Sequence, residues 1–183
     1  VRRARISADG NVFGRIYFYD GTADIYDDTT GEVHAEDIPA GTILVDTTQS
    51  WLYGIGAFNN TIVHECVHWD RHKKAVALAR LYNEEITHIG CKIVGGAMEK
   101  KFDFIEWQAN SLAPRIQMPA SMVKKYVDSA ITKIRKQTGL YDYIDIIENL
   151  IKDVAVHFAV SQTAAKIRLI DLGYEEAKGA LIY

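Results

Sequence analysis

The sequence predicts an α+β fold, because strand patterns come first along the chain and helix patterns follow. Residues 5–30 carry short apolar segments separated by the turn signals Asp9-Gly10-Asn11 and Asp20-Gly21, typical of a meander or of paired hairpins. Residues 41–46 form another short apolar segment, which predicts a strand. We therefore expect a small, antiparallel-rich sheet packed on an active-site helix and a second, ligand-bearing helix.

Helical patterns occupy most of the chain after residue 60. The first predicted helix runs from about 61 to 82, with Asn59 or Asn60 as its cap. Residues 84–102 are ambiguous. Further helices are predicted over about 104–113, from Pro119 to near Gly139, over 142–158 and over 161–172. We predict one domain over residues 1–119 and a helical C-terminal extension packed on it over 120–183.

Composition excludes several classes of protein. The net charge of −3 gives no general basic field for nucleic acid, and no apolar run is long enough for a membrane span. Two cysteines are too few for a disulfide framework in 183 residues. A reducing, cytoplasmic setting is the expectation, with no membrane partner and no direct binding of nucleic acid.

The segment His64-Glu65-Cys66-Val67-His68 carries the chemistry. On a helix, His64 and His68 lie one turn apart on the same face, where two imidazoles can bind one zinc ion. Glu65 is placed to take a proton from water activated by that ion. This spacing predicts a zinc-dependent hydrolase.

The surroundings of the histidine pair favour a metal over a solvated helix face. Ile62, Val63 and Val67 are apolar, so three ionisable side chains lie in a buried stretch, which is costly without compensation. A bound metal provides that compensation. Cys66 falls on roughly the opposite side of the helix and is expected to be a small buried apolar residue.

A third protein ligand must come from elsewhere in the chain. The metzincin arrangement needs histidine six residues after His68, where Lys74 stands, so it is rejected. His72 lies a further turn along the helix and is expected to be a surface or packing histidine. His88 remains possible.

Glu106 is the favoured third ligand. Glu106, Ala109, Asn110 and Ala113 share one helix face, and the two alanines would let this helix approach the first one closely. Asn110 could support a ligand imidazole from the second shell of the site. The alternative is that Glu106 is an ordinary solvated glutamate of the helix. Asp103 is the fallback ligand.

The zinc pentapeptide, together with the stretch Glu-Trp-Gln-Ala-Asn-Ser-Leu-Ala-Pro-Arg-Ile-Gln-Met-Pro over 106–119, resembles the ImmA/IrrE family of metallo-endopeptidases. The resemblance covers about 40–119 and extends more weakly over 150–173. It implies His64, His68 and Glu106 as zinc ligands and Glu65 as the catalytic residue. It further implies a protein or peptide substrate, such as a transcriptional repressor of bacteria or mobile elements.

The chain departs from that family in places. Leu112 replaces the usual phenylalanine, and Pro114 is expected to kink or end the ligand-bearing helix. The first 35 residues lie outside the resemblance. Ile43, Leu44 and Val45 could form an edge strand that binds substrate, or an ordinary buried strand.

Two alternatives to an active peptidase come from other classes. Residues 152–173 also fit a helix-turn-helix, with Lys166 and Arg168 available for phosphates, although Ala159 stands where such a turn often has glycine. A DNA-binding regulator that keeps the peptidase fold is therefore one alternative. An inactive metal-binding scaffold is the other.

Overall fold

The structure is a computed structural model that describes residues 1–27, 29–82, 85–92 and 100–182, with all their side chains except those of 49–53, 90–92 and 100–103. It confirms the α+β class. The chain divides into two compact units, Val1–Ala113 and Pro114–Tyr183. The division falls inside a helix, ahead of the predicted boundary after residue 119.

Two small sheets form the strand part of the first unit. The strands are β1 (Arg2–Ala4), β2 (Val12–Tyr17), β3 (Gly21–Tyr26), β4 (Val33–Ile38), β5 (Ile43–Asp46) and β6 (His88–Lys92). One sheet has the order β1-β5-β2-β6, parallel between β1 and β5 and antiparallel elsewhere, and β3 pairs with β4 in the other. The sequence patterns did not predict β1, β4 or β6.

The larger sheet is apolar on both faces, which explains the continuous burial of β5. Leu44 joins the cluster that includes the β3–β4 hairpin, whereas Ile43 and Val45 join the cluster on the helix side. Along β2, the pairing register shifts between Val12 and Gly14, as at a β-bulge. An extra residue there lets Val12 face the hairpin although Ile16, four residues later, faces the helices.

Helix α1 (Thr47–Arg71) is longer than predicted at its start and shorter at its end. Asp46 caps it, accepting a hydrogen bond from the Thr48 N–H at 2.9 Å. Gly54, with φ of 78°, interrupts the helix. Residues 59 and 60 lie inside the helix, so the predicted cap there is wrong. His72 separates α1 from α2 (Lys73–Arg80), because its backbone leaves helical geometry with ψ of 3°.

Helix α3 (Lys100–Gln117) runs through Pro114, so the predicted end of this helix near residue 113 is wrong. Because proline has no N–H, the helix loses one backbone hydrogen bond, the one to the carbonyl of Asn110. Asn110 is an exposed residue. Beyond the proline the helical pattern resumes, with the Met118 N–H bonded to the Pro114 carbonyl at 2.9 Å. Ala109 and Ala113 are fully buried, as the shared face predicted.

The second unit is helical. It contains α4 (Ala120–Thr138), α5 (Tyr143–His157), α6 (Gln162–Asp171) and a 3₁₀ turn (Glu175–Gly179). As predicted, α4 ends near Gly139, which adopts the left-handed conformation. Ser161, where the last helix was expected to begin, is the cap of α6. One apolar cluster contains residues of all four elements. None of the helices in the described residues has the length and apolar character needed to cross a membrane.

Candidate metal centre

Three predicted residues converge on one point in the first unit. His64 Nε2 and His68 Nε2 lie 2.9 Å apart. The Glu106 carboxylate lies across both rings, with Oε2 3.2 Å from His64 Nε2 and Oε1 3.1 Å from His68 Nε2. Helix α1 supplies the two histidines one turn apart, and α3 brings the carboxylate to them.

The spacing of these atoms fits a single metal ion. Ligand atoms about 2.0–2.1 Å from one tetrahedral ion lie about 3.3 Å from one another. The observed separations of 2.9–3.2 Å are close to that value. His64, His68 and Glu106 could therefore hold a metal ion.

The burial of these three side chains also suits a metal site. His64 is 1% exposed and His68 is 0% exposed, so neither ring faces open solvent, while Glu106 keeps 13% of its side chain exposed. Unpaired polar groups at such depth are costly. Two imidazoles and one carboxylate give three donor groups that could hold one metal ion.

The electrostatics favour the protonation states that a metal needs. Burial raises the pKa of the Glu106 carboxyl, but hydrogen bonds and charge from His64 and His68 outweigh it and hold that pKa at about 2. Burial lowers the pKa of His68, against the opposing hydrogen bond to Glu106. A deprotonated carboxylate and a neutral imidazole are the metal-binding forms.

Glu65 is fully buried beside the sheet. Its neighbour is Gly14 of β2, where an added Cβ would lie 3.1 Å from Glu65 Oε1, 3.2 Å from its Cγ and 2.6 Å from Thr61 Cγ2. Sequence reasoning overlooked Gly14. A glycine inside a strand is itself a signal of close approach by another group, and it could have identified the residue.

His72 is buried, as expected for a packing histidine, and lies outside the ligand set. Its Nδ1 is 2.9 Å from His68 Nδ1, and its Nε2 is 3.0 Å from Gln108 Oε1. The prediction that Asn110 supports a ligand imidazole is wrong: Asn110 is exposed, and no hydrogen bond within the described residues joins it to His64 or His68. Besides Glu106, the residue of α3 that contacts this row of histidines is Gln108, through His72.

The structure also places residues 43–45, Cys66 and His88. Ile43, Leu44 and Val45 do not form an edge strand, because β5 is paired with β1 on one side and β2 on the other, and all three residues are buried. Cys66 is exposed rather than buried, since it faces away from the sheet-facing side of α1. The ring of His88 lies against Tyr17, with ring centroids 4.9 Å apart and planes tilted by 32°, and His88 is not part of the metal cluster. The side chain of Asp103 lies outside the described residues.

The cations assigned to the helix-turn-helix alternative are engaged inside the second unit. Lys166 Nζ donates to the Ala180 carbonyl at 2.7 Å. Arg168 is 7% exposed, and its Nε donates to the Met118 carbonyl at 2.9 Å. Ala159 does adopt the left-handed φ of 51° that such turns use. Even so, neither named cation is presented for a phosphate.

Comparisons with protein-family models, with curated proteins and with solved structures gave no match to this chain.

Proposed function

We propose that this protein is a zinc-dependent metallo-endopeptidase. The convergence of His64 Nε2, His68 Nε2 and the Glu106 carboxylate within 3.2 Å carries the proposal. The resemblance of residues 64–68 and 106–119 to the ImmA/IrrE metallopeptidases, which includes the same three residues, also supports it. Zinc is the metal that best suits two imidazoles, one carboxylate and an open position.

His64, His68 and Glu106 would hold the ion, which when bound would supply a Lewis acid for the substrate carbonyl and for water. Glu65 is not a ligand and has a different role. Glu65 accepts a proton as the water oxygen bonds to the carbonyl carbon, then donates that proton to the amide nitrogen as the C–N bond breaks. The proton thus passes from water to the leaving amine, and Glu65 returns to its starting state.

An extended peptide is the proposed substrate, bound along β6 instead of β5. Among the strands of the described residues, β6 lies at an edge of the larger sheet, next to β2. Residue 91 of β6 is paired with Gly14, the residue that packs against Glu65. A peptide strand added to this edge would gain backbone hydrogen bonds close to the catalytic carboxylate. From the resemblance, we propose a DNA-binding regulatory protein as the substrate class.

A Glu65→Gln variant tests the proposal. It should bind zinc as tightly as wild type, because Glu65 is not in the ligand set, yet lose cleavage of an unfolded protein substrate such as casein by at least about 100-fold. Glu32→Gln, at an exposed glutamate, is the matched control and should cleave normally. Equal activity of wild type and Glu65→Gln would remove the proposed base, and zinc binding without any wild-type cleavage would favour the inactive scaffold.

A further inference from the structure

The polar contacts of His68 continue beyond the metal centre. Its Nε2 faces His64 and Glu106, while its Nδ1 faces His72 at 2.9 Å. On the far side of His72, Nε2 lies 3.0 Å from Gln108 Oε1. A continuous chain of hydrogen bonds therefore runs from the candidate metal ligand on α1 to the amide of Gln108 on α3.

We propose that His72 and Gln108 are positioning residues, which hold the proton of His68 on Nδ1 and leave the lone pair of Nε2 free for the metal. The proposal deepens the proposed function, since it rests on the same metal site, but it does not require peptide hydrolysis.

The direction of the hydrogen bonds follows from the last acceptor. The oxygen of the Gln108 amide can only accept, so His72 must donate through Nε2. A neutral imidazole that carries its proton on Nε2 has a lone pair on Nδ1, so His72 accepts from His68 through that atom. His68 then carries its proton on Nδ1, and its Nε2 presents a lone pair.

The opposite direction would oppose metal binding. If His72 donated to His68 Nδ1, the proton of a neutral His68 would lie on Nε2 and point at Glu106. Metal-ligating histidines generally donate their other ring N–H to a carboxylate or a carbonyl, which fixes ring orientation and tautomer. Here a second histidine stands in that place, and it is in turn fixed by an amide.

Burial makes this chain effective. His68 is 0% exposed and His72 is 3% exposed, so bulk water does not compete for the bond between their rings. The backbone reinforces the arrangement, because the His72 N–H bonds to the His68 carbonyl at 2.9 Å. The break between α1 and α2 falls at His72 itself, where both helices meet.

Two pairs of variants in the full chain test the proposal, with Zn²⁺ as the probe. Gln108→Leu and His72→Leu remove an acceptor and should weaken zinc binding about 10- to 100-fold in a chelator competition. Gln108→Glu and His72→Asn each keep an oxygen acceptor and should retain the wild-type affinity. Gln137→Leu, at an exposed glutamine of α4, is the control for the leucine substitution and should bind zinc normally.

Histidine ¹⁵N chemical shifts supply a readout that simple packing would not change. In zinc-bound wild type, His72 should be the Nε2–H tautomer, and Gln108→Leu should give a mixture of both His72 tautomers. Zinc binding by wild type and both leucine variants with equal affinity would overturn the positioning role of His72 and Gln108 alone and leave the proposed enzyme standing. A wild-type protein that binds no zinc would overturn both, and a zinc-bound protein in which His72 carries its proton on Nδ1 would overturn the positioning role directly.

Discussion

Gly14 and Glu65 lie so close together that a methyl group added at Gly14 would stand 3.1 Å from Glu65 Oε1. Strand β2 therefore packs directly against the side chain of the proposed base. Any larger side chain at residue 14 would occupy space now used by Glu65 and Thr61. The position of Glu65 therefore depends on the sheet as well as on the helix that carries it.

Gly14→Ala should impair cleavage more than metal binding. The new methyl group would lie 2.6 Å from Thr61 Cγ2, so Thr61 and Glu65 must shift. We expect cleavage to fall about 10- to 100-fold, because a displacement of about 1 Å at a reacting group is enough for a loss of that size. Zinc affinity should stay near wild type, since Glu65 is not a ligand.

The matched control is Gly179→Ala. Its added Cβ would meet no atom within 4 Å. The control should retain both activity and stability. Normal cleavage by Gly14→Ala would show that Glu65 does not need the position that the strand imposes on it.

Glu106→Gln should weaken zinc binding more than any change in the hydrogen-bonded chain behind His68. The amide is neutral and a poorer ligand, while the shape of the side chain is kept. We expect a loss greater than the roughly 100-fold upper range for second-shell changes, measured by chelator competition. Glu36→Gln, at a glutamate outside the cluster, should bind zinc as wild type does. Unchanged affinity in Glu106→Gln would exclude that carboxylate from the ligand set.

The metal-free protein should lose stability as pH falls. His68 has a folded-state pKa below 6.5, and Glu106 has one of about 2 against an ordinary value of 4.5. In both cases the folded state binds fewer protons than the unfolded state at intermediate pH, so acidification favours unfolding. The His68 contribution is lost from about pH 6.5 downward, and the Glu106 contribution, up to about 3 kcal/mol, from about pH 4.5 toward 2.

Urea unfolding of chelator-treated protein, repeated at about every pH unit between pH 8 and pH 3, measures this loss of stability. Glu106→Gln should show a smaller loss of unfolding free energy below pH 4.5 than wild type. Identical pH profiles for the two proteins would contradict the charge interaction between Glu106 and the histidines.

Ala109→Leu should destabilise the protein and weaken metal binding together. Ala109 is 0% exposed on the face of α3 that also carries Glu106. Extra methylene groups in such a packed position cost about 1–3 kcal/mol and displace the backbone. Thermal unfolding and chelator competition would show both effects, whereas Ser111→Leu, at a partly exposed position of the same helix, should show neither. A stable Ala109→Leu variant with full affinity would mean that small residues are not needed here.

Local patterns predicted the parts of the site that lie within one element. His64 and His68 are one helical turn apart whatever the rest of the chain does, and the face shared by Glu106 and Ala109 is also a property of one helix. The helix predicted over 161–172 is likewise close to the observed α6 (Gln162–Asp171). These features depend on helix geometry and capping, both of which are local.

The errors concern contacts between elements. Whether β5 lies at an edge or inside the sheet depends on the pairing of β1, a strand of three residues with two exposed side chains. Gln108 contacts His72 only because α3 and α1 meet at a particular rotation. Pro114 suggested a helix end on local grounds, yet the helix continues to Gln117. Such outcomes depend on how distant elements pack within the unit, and no short stretch of the sequence specifies that packing.

Anomalous diffraction at the zinc edge, from crystals grown with equimolar zinc, would locate the bound ion. We predict one peak about 2.0–2.2 Å from His64 Nε2, from His68 Nε2 and from an oxygen of Glu106. A peak coordinated by other residues, or no peak between the two histidines, would exclude the proposed metal site.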